Sequence, residues 1–99
     1  MKVRRCKNSS AILIYCPGCK RGHAFYTSAN DSPNGAVWVF NGDSNEPTFS
    51  PSMHITTTDQ TTGKKKTLCH SFVRDGLIEF LSDSTHELAG QTVELPDYT

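Results

Sequence analysis

No stretch of this 99-residue chain approaches the roughly 18 apolar residues that a membrane-spanning helix requires. Hydrophobic residues make up only 35% of it, and a small chain with so thin a core commonly leans on a metal, a disulfide or a partner. The opening Met1-Lys2-Val3-Arg4-Arg5 runs into Cys6-Lys7-Asn8-Ser9-Ser10 and not into a long apolar stretch, so no secretory signal is read there. The expectation is therefore a cytoplasmic chain whose four cysteines are reduced, which excludes two disulfides and leaves a metal. A long helical periodicity, an internal repeat and a linker are missing as well, and residues 1–99 are read as one domain.

Charge is absent in halves. Lys2, Arg4, Arg5, Lys7, Lys20 and Arg21 fill the first fifth without an acid, while Asp75, Glu79, Asp83, Glu87, Glu94 and Asp97 follow Arg74 without a lysine or arginine. Either the two ends face each other in the fold, or the basic end forms a face for nucleic acid or an acidic partner. The first reading is preferred, which argues against nucleic acid, and Lys64-Lys65-Lys66 reads as a solvated loop tip.

What the chain does contain is a metal-ligand pattern. Cys16-Pro17-Gly18-Cys19 is a knuckle whose two thiolates can reach one tetrahedral ion. Taken alone it also fits a redox pair. His23, Cys69, His70 and His86 supply the further ligands that favour Zn2+.

The rest reads as short strands and turns. Ala11 to Tyr15 and His23 to Thr27 flank the knuckle as a hairpin, and Ala36 to Phe40 is a strand closed by Asn41-Gly42. Glu46 to Ser52 carries Pro47 and Pro51 and is expected to be a stiff extended loop. Met53 to Thr58 is a strand, and Thr67 to Val73 pairs with Leu77 to Leu81 across Arg74-Asp75-Gly76. Asp83 caps a very short helix that ends near Gly90, and Val93 to Leu95 forms an edge strand. The fold class is mainly β: a small, antiparallel, hairpin-rich, zinc-stapled domain with one short helix.

Strand parity divides the histidines. Neighbouring residues on a strand face opposite ways, so Cys69 and His70 are not expected to share an ion. Cys69 becomes the third ligand of Cys16 and Cys19, with His23 as the fourth and His86 as its replacement, a closed Cys₃His set of the structural type. The competing readings are a buried, inert Cys69 and a surface His23. Cys6 reads as a plain thiol.

His70 lies among Leu68 and Phe72 and needs partners for its ring nitrogens. Asp83 can hold Nδ1 and leave Nε2 as a base, with Ser52 or Ser50 on the stiff loop as the nucleophile. Ser52, His70 and Asp83, with His86 nearby, form the catalytic candidates. Against this stand a hydrogen-bonded core His70 with Asp83 as helix cap, and a catalytic metal on His70 and His86 with an open position for water.

Cys16-Pro17-Gly18-Cys19 with His23, Phe40-Asn41-Gly42-Asp43, Pro47 to Ser52, Cys69-His70-Ser71-Phe72 with Asp75-Gly76, and Asp83 to His86 with Leu88 to Val93 occur in this order. The series resembles a small bacterial and phage zinc-binding family of unknown function. Many of its members are labelled ammonia monooxygenase, which these residues do not support. Relatives resemble the peptidase-like component of bacterial ubiquitin-like conjugation operons, and the resemblance covers nearly the whole chain. It implies cleavage at the tail of a ubiquitin-like protein, with Ser52, His70 and Asp83 as the chemistry and Cys16 and Cys19 on the metal.

Two function classes follow. One is a small zinc-containing hydrolase, a peptidase acting on a protein or ubiquitin-like modifier through a Ser/His/Asp site. The other is a non-catalytic zinc module that binds protein or nucleic acid. Histidines beside fixed serines favour the enzyme, and the small size favours the module. No membrane partner is expected.

Overall fold

The knuckle and its flanking apolar residues fold as a hairpin in the computed structural model, which describes residues 1–98. Strand β2, Ala11–Cys16, pairs antiparallel with β3, Arg21–Tyr26, and the two-residue β1, Arg4–Arg5, adds to the far side of β2. The second sheet has five strands in chain order: β4 Val39–Phe40, β5 Phe49–Thr58, β6 Lys65–Arg74, β7 Leu77–Phe80 and β8 Thr92–Glu94. All pairings are antiparallel. The fold is mainly β, and among the described residues there is no helix. None is therefore long and apolar enough to cross a membrane.

Buried side chains of both sheets form one core, among them Ile12, Ile14 and Phe25 from the first and Phe49, Val73, Ile78 and Phe80 from the second. Phe25 of β3 stacks on Phe49 of β5 with ring centroids 4.1 Å apart, and Trp38 meets Phe25 edge-on at 5.3 Å. Such contacts contribute beyond the area they bury. This aromatic seam sets β3 beside β5.

Several local expectations are corrected. The segment after β7 forms successive tight turns instead of a short helix. Ser84 N–H bonds the Leu81 carbonyl at 3.1 Å and Ala89 N–H the His86 carbonyl at 3.2 Å, while Thr85 N–H goes to Leu68 of β6. Docking against β6 takes the backbone donors that a helix would have used. The β6–β7 turn is the two-residue Asp75-Gly76, both at positive φ (51° and 79°), the pattern of a type I′ hairpin. Asn41-Gly42 opens a loop of residues 41–48 rather than a tight hairpin. Asn41 Oδ1 accepts from Asp43 and Thr48 N–H, and Asp43 Oδ1 accepts from Asn45 and Glu46 N–H. The expected Ala36 to Phe40 strand shortens to Val39–Phe40.

The expected stiff loop is split. Phe49 to Ser52 belongs to β5, where the β5–β6 register jumps from Phe49↔Val73 to Met53↔Ser71. Pro51, preceded by a cis peptide bond, lies in this irregularity, where a strand tolerates a residue without an N–H. The charge asymmetry is spent across the fold: Lys2 Nζ meets Glu94 at 2.8 Å, the N-terminal amine meets Asp97 at 3.4 Å and Lys20 meets Glu87 at 4.0 Å.

Candidate functional site

The bulge in β5 turns Ser52 towards β6. Its Oγ lies 3.3 Å from His70 Nε2, and His70 Nδ1 lies 3.1 Å from Asp83 Oδ2. With the proton on Nδ1 bonded to Asp83, Nε2 is free to accept from the serine hydroxyl. Ser52 and His70 are partly buried and Asp83 is exposed, so the site is open on one side. Ser50, the other serine weighed as nucleophile, is exposed on β5 opposite Val39 of β4.

Neighbours of these three residues hold the arrangement. Ser84, nearly buried at 7% exposure, accepts from His70 N–H at 3.0 Å and donates to the His70 carbonyl at 3.2 Å. That clamp ties the turn bearing Asp83 to the strand bearing His70. His54 sits directly opposite His70 on β5, its ring stacked on that of His70 and its Nε2 2.8 Å from Thr67 Oγ1. Alternation along β5 puts Ser52 and His54 on one face, and that Ser-x-His spacing is the signal by which His54 was findable. Trp38 Nε1–H reaches the Ser52 carbonyl at 3.4 Å.

A second cluster lies on the opposite face of β6. Ligand atoms of Cys16, Cys19, Cys69 and His86 all fall within 4.8 Å of one another, close enough to bind a metal. The knuckle builds itself: Cys19 N–H points at Cys16 Sγ at 3.3 Å, and Lys20 N–H bonds the Cys16 carbonyl at 2.8 Å. Gly18 is required here, because a Cβ at that position would overlap the His86 ring. His86 Nε2 and His23 Nε2 are both buried without a hydrogen-bond partner, a state that a buried polar atom rarely keeps unless something coordinates it, and of the two only His86 falls within the thiol set. Soft thiols beside that imidazole are a donor set suited to zinc.

The thiols polarise one another. A hydrogen bond from the Cys69 thiol, helped by His23 and the Cys19 N–H, pulls Cys16 down to about 4 against the effect of burial. Cys69 is pushed up, first by that same bond and then by burial, and Cys19 is pushed up by burial and by the Cys16 charge. A cluster that already favours thiolate at one sulfur is ready for a cation. All four cysteines are free.

The fourth member of the thiol cluster is His86, the replacement weighed for His23. His23, expected as fourth ligand, is buried on β3 opposite Ile14 and lies outside the four-residue set. His86, expected among the catalytic residues, lies in the thiol cluster, because the turns after Ser84 carry it across onto Gly18. His70 and His86 are therefore in separate clusters, which removes the arrangement with both on one metal.

The family described as bacterial ubiquitination-like system serine protease (BubE) matches residues 1–81. The chain belongs to the BubE family. The matched stretch holds Ser52, His70 and the three clustered cysteines and stops before Asp83 and His86. No curated protein matches, and no solved structure does either.

Proposed function

We propose that this chain is a serine peptidase acting on a protein or ubiquitin-like modifier, with Ser52 as nucleophile, His70 as base and Asp83 as the carboxylate that orients it. The observation that carries the reading is the unbroken chain from Ser52 Oγ through His70 to Asp83, with contacts of 3.3 and 3.1 Å. Those lengths suit a resting site whose bonds tighten on substrate. The family's name, with its serine protease and its ubiquitination-like system, supports both the reaction and the substrate class.

In the reaction, Ser52 Oγ bonds to the scissile carbonyl carbon as its proton passes to His70 Nε2. The C–N bond then breaks, and the leaving amine takes that proton. Water then bonds to the acyl carbon as its proton passes to His70 Nε2, the ester bond to Ser52 Oγ breaks, and Oγ takes that proton back as the acid leaves. Asp83 holds the imidazole in the reactive tautomer and faces the positive ring that forms.

Zinc on Cys16, Cys19, Cys69 and His86 belongs to the same proposal, as a staple and not as a reagent. Four protein ligands leave no open position for water. Cys69 and His70 are adjacent on β6, so closing the cluster fixes the strand that presents the base.

A fluorophosphonate tests the chemistry. It is expected to modify Ser52, with labelling lost in Ser52→Ala and His70→Ala while the fold persists. Labelling of another serine, or labelling indifferent to His70, would discard the triad.

A further inference from the structure

β3 is the last strand of its sheet, and the direction of its free backbone groups can be read from its neighbours. The Tyr26 carbonyl accepts from Trp38 N–H at 2.9 Å, and Thr27 N–H goes to Ser10 on the other side. Tyr26 therefore turns its own N–H and C=O away from β2. With a period of two, Ala24 and Gly22 do the same.

A matching row lies on β5. His70 spends its N–H on Ser84 and its C=O on Leu81, both on the side away from β5. The opposed pair His54/His70 is thus the non-hydrogen-bonded kind, and His54 turns its N–H and C=O away from β6. β4 covers that edge of β5 only at Phe49 and Ser50. The two edges border one cleft of about 260 Å³, lined by Gly22, Ala24, Trp38, Met53, His54 and Ile55 among others, and Trp38 closes one end of it, its N–H on the Tyr26 carbonyl and its indole N–H on the Ser52 carbonyl. Ser52 is not part of this lining but adjoins it in sequence through Met53.

We infer that this cleft is the substrate subsite, and that it takes an extended peptide segment as an added strand between β3 and β5. Main-chain donors and acceptors on both walls recognise a backbone rather than particular side chains. A segment lying there pairs with the free backbone groups of Gly22, Ala24 and His54 and ends at Trp38 beside Ser52, the place inferred for the scissile bond. The inference rests on the peptidase reading above and adds to it the conformation of the substrate and the residues that hold it. An extended, unstructured tail fits this cleft, and a folded loop does not.

Three phosphonate probes with one warhead separate the two ideas: acetylglycyl diphenyl phosphonate, a pool of tripeptidyl-glycyl diphenyl phosphonates, and that pool with N-methylated amides. The peptidyl pool should label Ser52 roughly tenfold faster than acetylglycyl, as one or two added hydrogen bonds allow, and N-methylation should remove the gain. Ala24→Pro deletes an outward N–H that β2 does not use, a substitution an edge strand tolerates, and it should cut the same gain. In Ser52→Ala, a matching pool of acetylated tetrapeptide amides should protect the Gly22, Ala24 and His54 amides from hydrogen exchange. Labelling at equal rates by all three probes would keep the serine chemistry and overturn the cleft. Protection without labelling would keep the cleft and overturn the peptidase. Neither labelling nor protection, or a dimer whose partner strand fills the cleft, would overturn the inference.

Discussion

The imidazole rings of His54 and His70 lie nearly parallel, 22° between planes and 4.5 Å between centroids. Their residues face each other at the narrow kind of antiparallel pair, where side chains come closest. Thr67 holds the outer ring through His54 Nε2. His70 is thereby fixed in plane by His54 and in rotation by Asp83, while Ser84 fixes its backbone.

The stack predicts a turnover effect without a folding effect. His54→Ala should lower kcat several-fold, whereas the exposed position keeps the stability change within about 0.5 kcal/mol. His54→Phe should restore most of kcat, because a flat ring suffices. Equal kcat in all three proteins would show that the stack positions nothing.

Ser84→Ala removes the partner of His70 N–H, while Leu81 N–H still serves the His70 carbonyl. Leaving that N–H unpaired beside a buried position should cost about 1–3 kcal/mol, read as a lower unfolding midpoint. Activity should fall further than His54→Ala makes it fall, with metal content intact. An unchanged midpoint would mean that water replaces the hydroxyl at no cost.

Purified protein should carry about one zinc per chain, the capacity of a four-ligand tetrahedral site. Cys16→Ser, Cys19→Ser and His86→Ala should lose it and unfold, because structural zinc binding is part of the folding free energy. His23→Ala should retain it. Gly18→Ala should weaken zinc binding by driving a methyl into the His86 ring. Zinc lost from the His23 variant and kept by the His86 variant would reverse the assignment of the fourth ligand.

Asp31 predicts a pH effect away from both clusters. Hydrogen bonds from the Ser10 hydroxyl and N–H, with a smaller one from Ser9, hold its carboxyl below the ordinary 3.8. A folded value below the unfolded one stabilises above the unfolded pKa and is lost as pH falls through the folded one. Asp31→Asn should therefore melt lower than the parent at neutral pH, and the gap should close on acidification below the carboxylate range. A gap that persists at low pH would assign the effect to packing.

Much of the site was legible because its signals are local. Cys16 and Cys19 need only a turn between them, and Pro17-Gly18 supplies it within the β2–β3 hairpin. Alternation along β6 was enough to part Cys69 from His70. Ser52, His70 and Asp83 stood out as a serine on a proline-bearing segment, a histidine among apolar residues and an acid within reach.

Other features depend on distances that no short pattern encodes. His23 follows the knuckle by four residues and reads as its ligand, yet the set whose ligand atoms all lie together takes His86, its replacement in the sequence reading, from the far end of the chain. Asp83 reads as a helix cap until Ser84 and Thr85 give their hydrogen bonds to β6, which prevents the helix and leaves the carboxylate for His70. Period-two alternation and hydrogen-bond reach were therefore enough to name the candidate side chains from sequence. Which side chains meet, and the open cleft between β3 and β5, were decided by the Phe25–Phe49 seam and the register of β5 on β6, because burial pairs residues by shape across the whole chain.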